Sequence, residues 1–168
     1  MRSGILEGYR KAAETLKASL ERTLGERLVS VVLFGSVARG DVTDSSDVDL
    51  LIVVKGLRGS RFERMGVFDE AEKQCGNELK SICERYGITV SFSPIIKDVE
   101  EAVRVSPLYL DIVEDGVILF DRDDFMKKVL EKLGERLREL GARRVWRGRK
   151  WYWILKPEVK VGEVLEIE

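Results

Sequence analysis

Apolar residues recur at three- and four-residue steps near the start of the chain: Ile5, Tyr9, Ala12, Ala13, Leu16 and Leu20. That spacing predicts an amphipathic helix, capped by Ser3, running to about Leu24 and stopped at Gly25. The period then changes. LVSVVLF over 28–34 and VDLLIVV over 48–54 are almost continuously apolar, which predicts two buried strands, the second with an acidic start. After a loop over 56–60, a long helix is expected over about 61–85, with Gly66 or Gly76 as places to bend and Gly87 as its end. Ile88, Val90 and Phe92 alternate with Thr89, Ser91 and Ser93, so a third strand is expected over 88–96. Asp98 is placed to cap a short helix reaching Val105, and Pro107 to open another. A short strand follows over 117–120. Phe125, Val129, Leu133, Leu137 and Leu140 then predict a strongly amphipathic helix over 121–140, stopped by Gly141. Residues 143–156 read as a hairpin turning near Gly148, and Pro157 opens a mostly acidic tail. This order predicts a mixed α/β (α+β) fold with a sheet of four to five strands flanked by helices.

Composition narrows the chemistry. Histidine is absent, which removes imidazole general bases, Ser-His-Asp and Cys-His systems, and zinc sites that need histidine. Cys75 and Cys83 stand two helical turns apart, roughly 12 Å along the axis, too far for a disulfide between them. Reduced thiols in a cytoplasmic protein are the expectation. Arg2, Glu7, Arg10 and Lys11 interrupt any early apolar run, and no stretch approaches the ~20 apolar residues of a membrane span. Charged residues make up 35% of the chain with a net charge of only −1, so overall charge names no partner. Asn77 and Gln74 are the only side-chain amides; with abundant Glu, Lys and Arg they suggest a thermophilic source.

One stretch breaks the apolar logic: LFGSVARGDVTDSSDVDLL, residues 33–51. Asp47 and Asp49 stand two apart at the head of a buried strand, so they project to one face. Two close carboxylates repel, and burial pushes a proton onto one of them. A divalent cation removes that conflict, and hard oxygen donors on a rigid strand suit Mg²⁺ or Mn²⁺. Gly35-Ser36 stands at the preceding turn, where glycine lets backbone N–H groups approach an anion and the serine hydroxyl adds a donor. The competing reading, an Asx-rich loop that only caps turns, suits Asp44 and Ser45 but not two acids at a strand entrance.

Gly35-Ser36, ten residues, then Asp47-x-Asp49, flanked by strands, resembles the minimal nucleotidyltransferases of the polymerase-β-like superfamily. Arg39-Gly40 matches the usual continuation of the turn. The resemblance implies a nucleotidyltransferase palm over 1–120, with 121–168 forming a C-terminal helix, hairpin and tail packed on the same domain. It implies that Asp47 and Asp49 are catalytic metal ligands for Mg²⁺ or Mn²⁺, and that Gly35, Ser36 and Arg39 bind the nucleotide. The expected reaction moves a nucleoside monophosphate from a triphosphate, expected to be ATP, to a hydroxyl on a protein or small molecule. Some members modify a helical partner protein encoded alongside, acting as antitoxins. One departure matters: active members place a third carboxylate on the next core strand, and GITVSFSPII offers only Thr89, Ser91 and Ser93 there. Asp69 or Glu70 of the long helix is an alternative source; otherwise the chain is a catalytically silent nucleotide-binding or protein-interaction module.

The segment RRVWRGRKWYWILK, residues 143–156, holds six basic residues, four aromatic ones and no acid. Arg144, Trp146, Arg149 and Trp151 are candidates for contact with single-stranded nucleic acid or a partner. The alternative is a hairpin that buries one aromatic face on the domain and solvates its cations.

Overall fold

The computed structural model describes residues 2–43, 46–57, 59–148, 150–159, 163, 164 and 167; of Arg2, Ser3 and Arg61 it describes the backbone alone. Helix α1 (Arg2–Leu24) buries Tyr9, Ala12, Ala13, Leu16 and Leu20, the stripe its spacing predicts. It begins one residue before Ser3, which therefore lies inside it. The chain continues through β1 (Leu28–Phe34), the short α2 (Gly35–Arg39) and β2 (Val48–Val54). The expected long helix is two, α3 (Arg61–Gln74) and α4 (Gly76–Tyr86), broken at Cys75–Gly76. Both cysteines are free. Then come β3 (Phe92–Asp98), α5 (Val99–Ala102), α6 (Pro107–Asp115), β4 (Val117–Asp121), α7 (Phe125–Leu140), and the hairpin β5 (Arg143–Arg147) and β6 (Lys150–Ile154).

Four strands form one mixed sheet in the order β3-β2-β1-β4. β1 runs antiparallel to β2 and β4, and β2 runs parallel to β3. The strands' period of two sorts the core into two layers. Val48, Leu50, Ile52 and Val54 face α1, α3 and α4, while Leu51 and Val53 face α5, α6 and α7. Both central strands are covered on both faces, which explains their unbroken apolar runs.

Two boundaries differ from the expected ones. β3 begins at Phe92, not at Ile88, because its partner β2 begins at Val48, and Val48 pairs with Phe92. Residues 88–91 have no strand to join; Ile88 anchors the helical layer and the Ser91 carbonyl accepts from the Val48 N–H (2.8 Å). The last long helix begins at Phe125, because Asp121 belongs to β4, where it pairs with Ser30. Its carboxylate accepts from the backbone N–H groups of Met126 and Lys127 (both 2.9 Å) and from the buried Ser30 hydroxyl. Met126 accordingly joins Leu133 and Leu137 in the core, and Leu140 is only half-buried. Among the described residues, no helix is long and apolar enough to cross a membrane.

Asp121 thus ties the edge strand, the central strand and the start of α7 through one side chain. Asp121→Ala should lower stability by roughly 2 kcal/mol, a fall in Tm of about 4–8 °C. Asp121→Asn, which keeps one acceptor, should cost less. Thermal unfolding followed by circular dichroism checks both.

Candidate active site

The antiparallel register of β1 and β2 sets Phe34 opposite Asp49. The chain turns immediately after Phe34, so Gly35 lies directly against the Asp49 side chain. Gly35 has φ +72°, and a Cβ built on it would stand 2.1 Å from Asp49 Oδ2. Glycine is therefore required twice at this position, for the backbone conformation and for the room the carboxylate takes. The turn continues as α2, closed by Gly40 at φ 80°, whose N–H bonds back to the carbonyls of Ser36 and Val37. Asp41 N–H also reaches the Ser36 carbonyl (2.9 Å).

Asp49 is half-buried on the α6–α7 side of the sheet, while Asp47 is exposed at its rim. Burial raises the Asp49 pKa, and the neighbouring Asp47 charge raises it further. A hydrogen bond from Ser93 and the positive charge of Arg39 pull the other way without cancelling the rise. Two oxygen-donor carboxylates in unrelieved repulsion, at the end of a rigid strand, fit a hard divalent cation. Among the described residues, no group of three or more Asp, Glu, Cys or His side chains is arranged to hold a metal.

The parallel register places Ser93 opposite Asp49, so a hydroxyl occupies the position where the resemblance implies a third carboxylate. Thr89 and Ser91 precede the strand. Asp69 and Glu70 cannot substitute: they are exposed on α3, which packs against the opposite face of the sheet. Glu70 instead accepts a hydrogen bond from Gln74 (3.0 Å).

Arg39, at the end of α2, is largely buried. Its guanidinium carbon lies 4.6 Å from the Trp151 ring centroid, and its nearest carboxylates, Asp41 and Asp115, are both 3.9 Å away. The hairpin therefore docks beside the acidic turn. Its cross-strand pairs put Arg144, Trp146, Trp151 and Trp153 on one face and Arg143, Val145, Arg147, Lys150 and Tyr152 on the other. Asp111 of α6 accepts from both the Trp151 and Trp153 indole N–H groups (2.7 and 3.0 Å). Arg144 grips Asp115 through both terminal nitrogens. Arg144 and Trp151 are thus engaged within the chain, whereas Trp146 is 49% exposed. Arg149 lies outside the described residues. In the sequence, Asp111 and Asp115 carry no signal beyond their spacing of four on one helix face.

A cleft of about 1060 Å³ opens at the opposite end of the sheet, lined among others by Lys55, Asp98, Arg122 and Phe125. It borders neither Asp47 nor Asp49.

A family model for the nucleotidyltransferase domain matches residues 13–140, about three quarters of the chain. The chain belongs to the nucleotidyltransferase family. Two relatives from Methanocaldococcus jannaschii bear the name "putative protein adenylyltransferase". One is 34% identical over 115 residues, covering 67% of this chain and 72% of the relative. The other is 34% identical over 101 residues, covering 59% and 85%. A solved "putative nucleotidyltransferase" from Sulfolobus solfataricus is 27% identical, with a TM-score of 0.44, covering 71% of this chain and 89% of that one. This nucleotidyltransferase extends beyond the matched residues into the β5–β6 hairpin.

The raised pKa of Asp49 has a stability consequence. In the window where folded Asp49 holds its proton more than the unfolded chain does, stability falls as pH rises. Without a divalent cation, Asp49→Asn should therefore raise Tm at pH 7, by roughly 1–3 °C for a half-exposed group. The gap should close as pH falls and Asp49 protonates. Mg²⁺ or Mn²⁺ should raise Tm for the parent chain and not for the variant. Gly35→Ala should displace the Asp49 carboxylate and lower the affinity for the divalent ion about tenfold or more, read by calorimetry.

Proposed function

We propose that this nucleotidyltransferase transfers adenylate from ATP to a hydroxyl group on a protein. The observation that carries the reading is the Asp49 carboxylate held against Gly35, with Asp47 beside it and Arg39 behind the turn. The names of the two archaeal relatives support the adenylyl group and the protein acceptor.

Asp47 and Asp49 would hold a divalent cation, Mg²⁺ or Mn²⁺. When bound, it would neutralise their mutual repulsion and the negative charge of the triphosphate. Gly35 and Ser36 border the same turn, with a backbone free to approach phosphate oxygens and a hydroxyl donor. Arg39 adds a fixed positive charge that orients the triphosphate. In the transfer, the acceptor hydroxyl releases its proton to solvent as its oxygen bonds to the α-phosphorus, the bond to the β-phosphate oxygen breaks, and pyrophosphate leaves with that electron pair. The side chains offer no strong base: Ser93 stands across from Asp49, and histidine is absent. Rate enhancement then comes from orientation and from positive charge placed where the transition state is most negative.

Ser93 also favours a second reading, a module that binds the nucleotide without transferring it. One experiment separates the two. The protein is incubated with ATP labelled at the α-phosphate, Mg²⁺, and proteins encoded beside its gene. Transfer is expected, with label on a protein hydroxyl and a fall of ~100-fold or more for Asp47→Asn or Asp49→Asn. Metal-dependent ATP binding without transfer would establish the silent module. If neither appears, both readings fail.

A further inference from the structure

The β5–β6 hairpin lies beyond the residues matched by the family model, yet it contacts the one arginine of the acidic turn. Arg39 is held in an unusual way. Its guanidinium stacks on Trp151, and both neighbouring carboxylates stop at 3.9 Å, beyond hydrogen-bonding reach. Its Nε is buried and makes no hydrogen bond among the described residues. Stacking fixes the plane of a guanidinium without consuming its edge donors, which remain available for an anion.

Trp151 is itself fixed from three sides. Its indole N–H donates to Asp111, its ring packs against Trp146 at 4.9 Å, and the Arg144 guanidinium lies 5.6 Å from its centroid. Arg144 has a second effect. Its two-point grip on Asp115 occupies the carboxylate that would otherwise be the natural partner of Arg39.

We propose that Trp151 is a positioning residue for Arg39: the hairpin holds the Arg39 guanidinium at the acidic turn by stacking, and Arg144 keeps Asp115 occupied so that Arg39 retains its donors for a nucleoside triphosphate. The proposal rests on the reading of that turn as a nucleotide site. Removing Trp151 frees the guanidinium to leave its stack, and removing Arg144 lets Asp115 close on it. Both changes leave Asp47, Asp49, Gly35 and Ser36 intact.

The test is calorimetric titration with ATP and Mg²⁺ of the full chain and its variants, each with its Tm recorded. Trp151→Ala should weaken ATP binding roughly 3- to 30-fold. In an Arg39→Ala background the same change should alter affinity less than about twofold, because its effect passes through Arg39. Trp151→Phe, which keeps an aromatic face, should retain most of the affinity. Arg144→Ala should weaken binding in the parent and not in the Arg39→Ala background; this arm stands if Trp151→Ala fails to fold. Folded Trp151→Ala or Arg144→Ala with parental affinity would overturn the proposal. So would an equal loss in both backgrounds, or no loss in Arg39→Ala itself. If the parent chain does not bind ATP at all, the nucleotide-site reading falls and takes this proposal with it. If the parent binds ATP and only the hairpin variants are without effect, this proposal falls alone.

Discussion

The site depends on one close approach, between the Asp49 carboxylate and the Cα of Gly35. The register of β1 against β2 creates it, since Phe34 stands across from Asp49 and the chain must turn at once. Any side chain at position 35 would collide with Oδ2, and the positive φ there would strain it further. The two-layer core exists around this point. β1 and β2 are the centre of the sheet, buried on both faces, and they hold the turn and the carboxylate as one rigid unit. A site built on central strands moves less than one built on loops, which matters where charges must be placed to within a fraction of an ångström.

That rigidity holds a carboxylate in a place that disfavours its charge. Burial and Asp47 both resist ionisation of Asp49, while Ser93 and Arg39 favour it. The balance leaves a raised pKa, so the apo protein carries an unrelieved electrostatic cost at this point. A third acid in place of Ser93 would deepen that cost and add a ligand. The serine does the reverse: it donates to the carboxylate and lightens the demand for a cation. Ser93 therefore lowers the electrostatic cost of an ionised Asp49.

Much of this was legible in the sequence, and the exceptions have physical causes. The apolar runs of β1 and β2, the stripe of α1, and the Gly35–Asp49 spacing depend on local period, so they translate directly into structure. The start of β3 does not. Ile88 to Ser93 alternate as a strand would, but a strand needs a partner, and β2 begins only at Val48. The start of α7 was blurred for a different reason, since Asp121 serves a strand and a helix at once, whereas the break between α3 and α4 falls at Gly76, one of the two expected bends. The Gly35-Ser36 turn and the acidic pair were legible in the motif; that Gly35 touches Asp49 and that Ser93 faces it required the register.

The hairpin was the least legible element, because composition does not say which way a face points. Its basic and aromatic residues suit a nucleic acid as well as they suit the domain. Which face turns inward is set about 30–40 residues earlier, where Asp111 and Asp115 occupy one side of α6. Both are acids on a helix that also buries Tyr109 and Ile112, and each meets hairpin donors. Half-buried carboxylates favour such partners, so α6 sets the inward face as Arg144, Trp151 and Trp153. Arg143, Arg147 and Lys150 are left on the solvent face with Tyr152. The basic excess that reads as an external binding strip is in part the counter-charge of α6. Arg39 joins that network with the least direct pairing, and it is the member that borders Asp49.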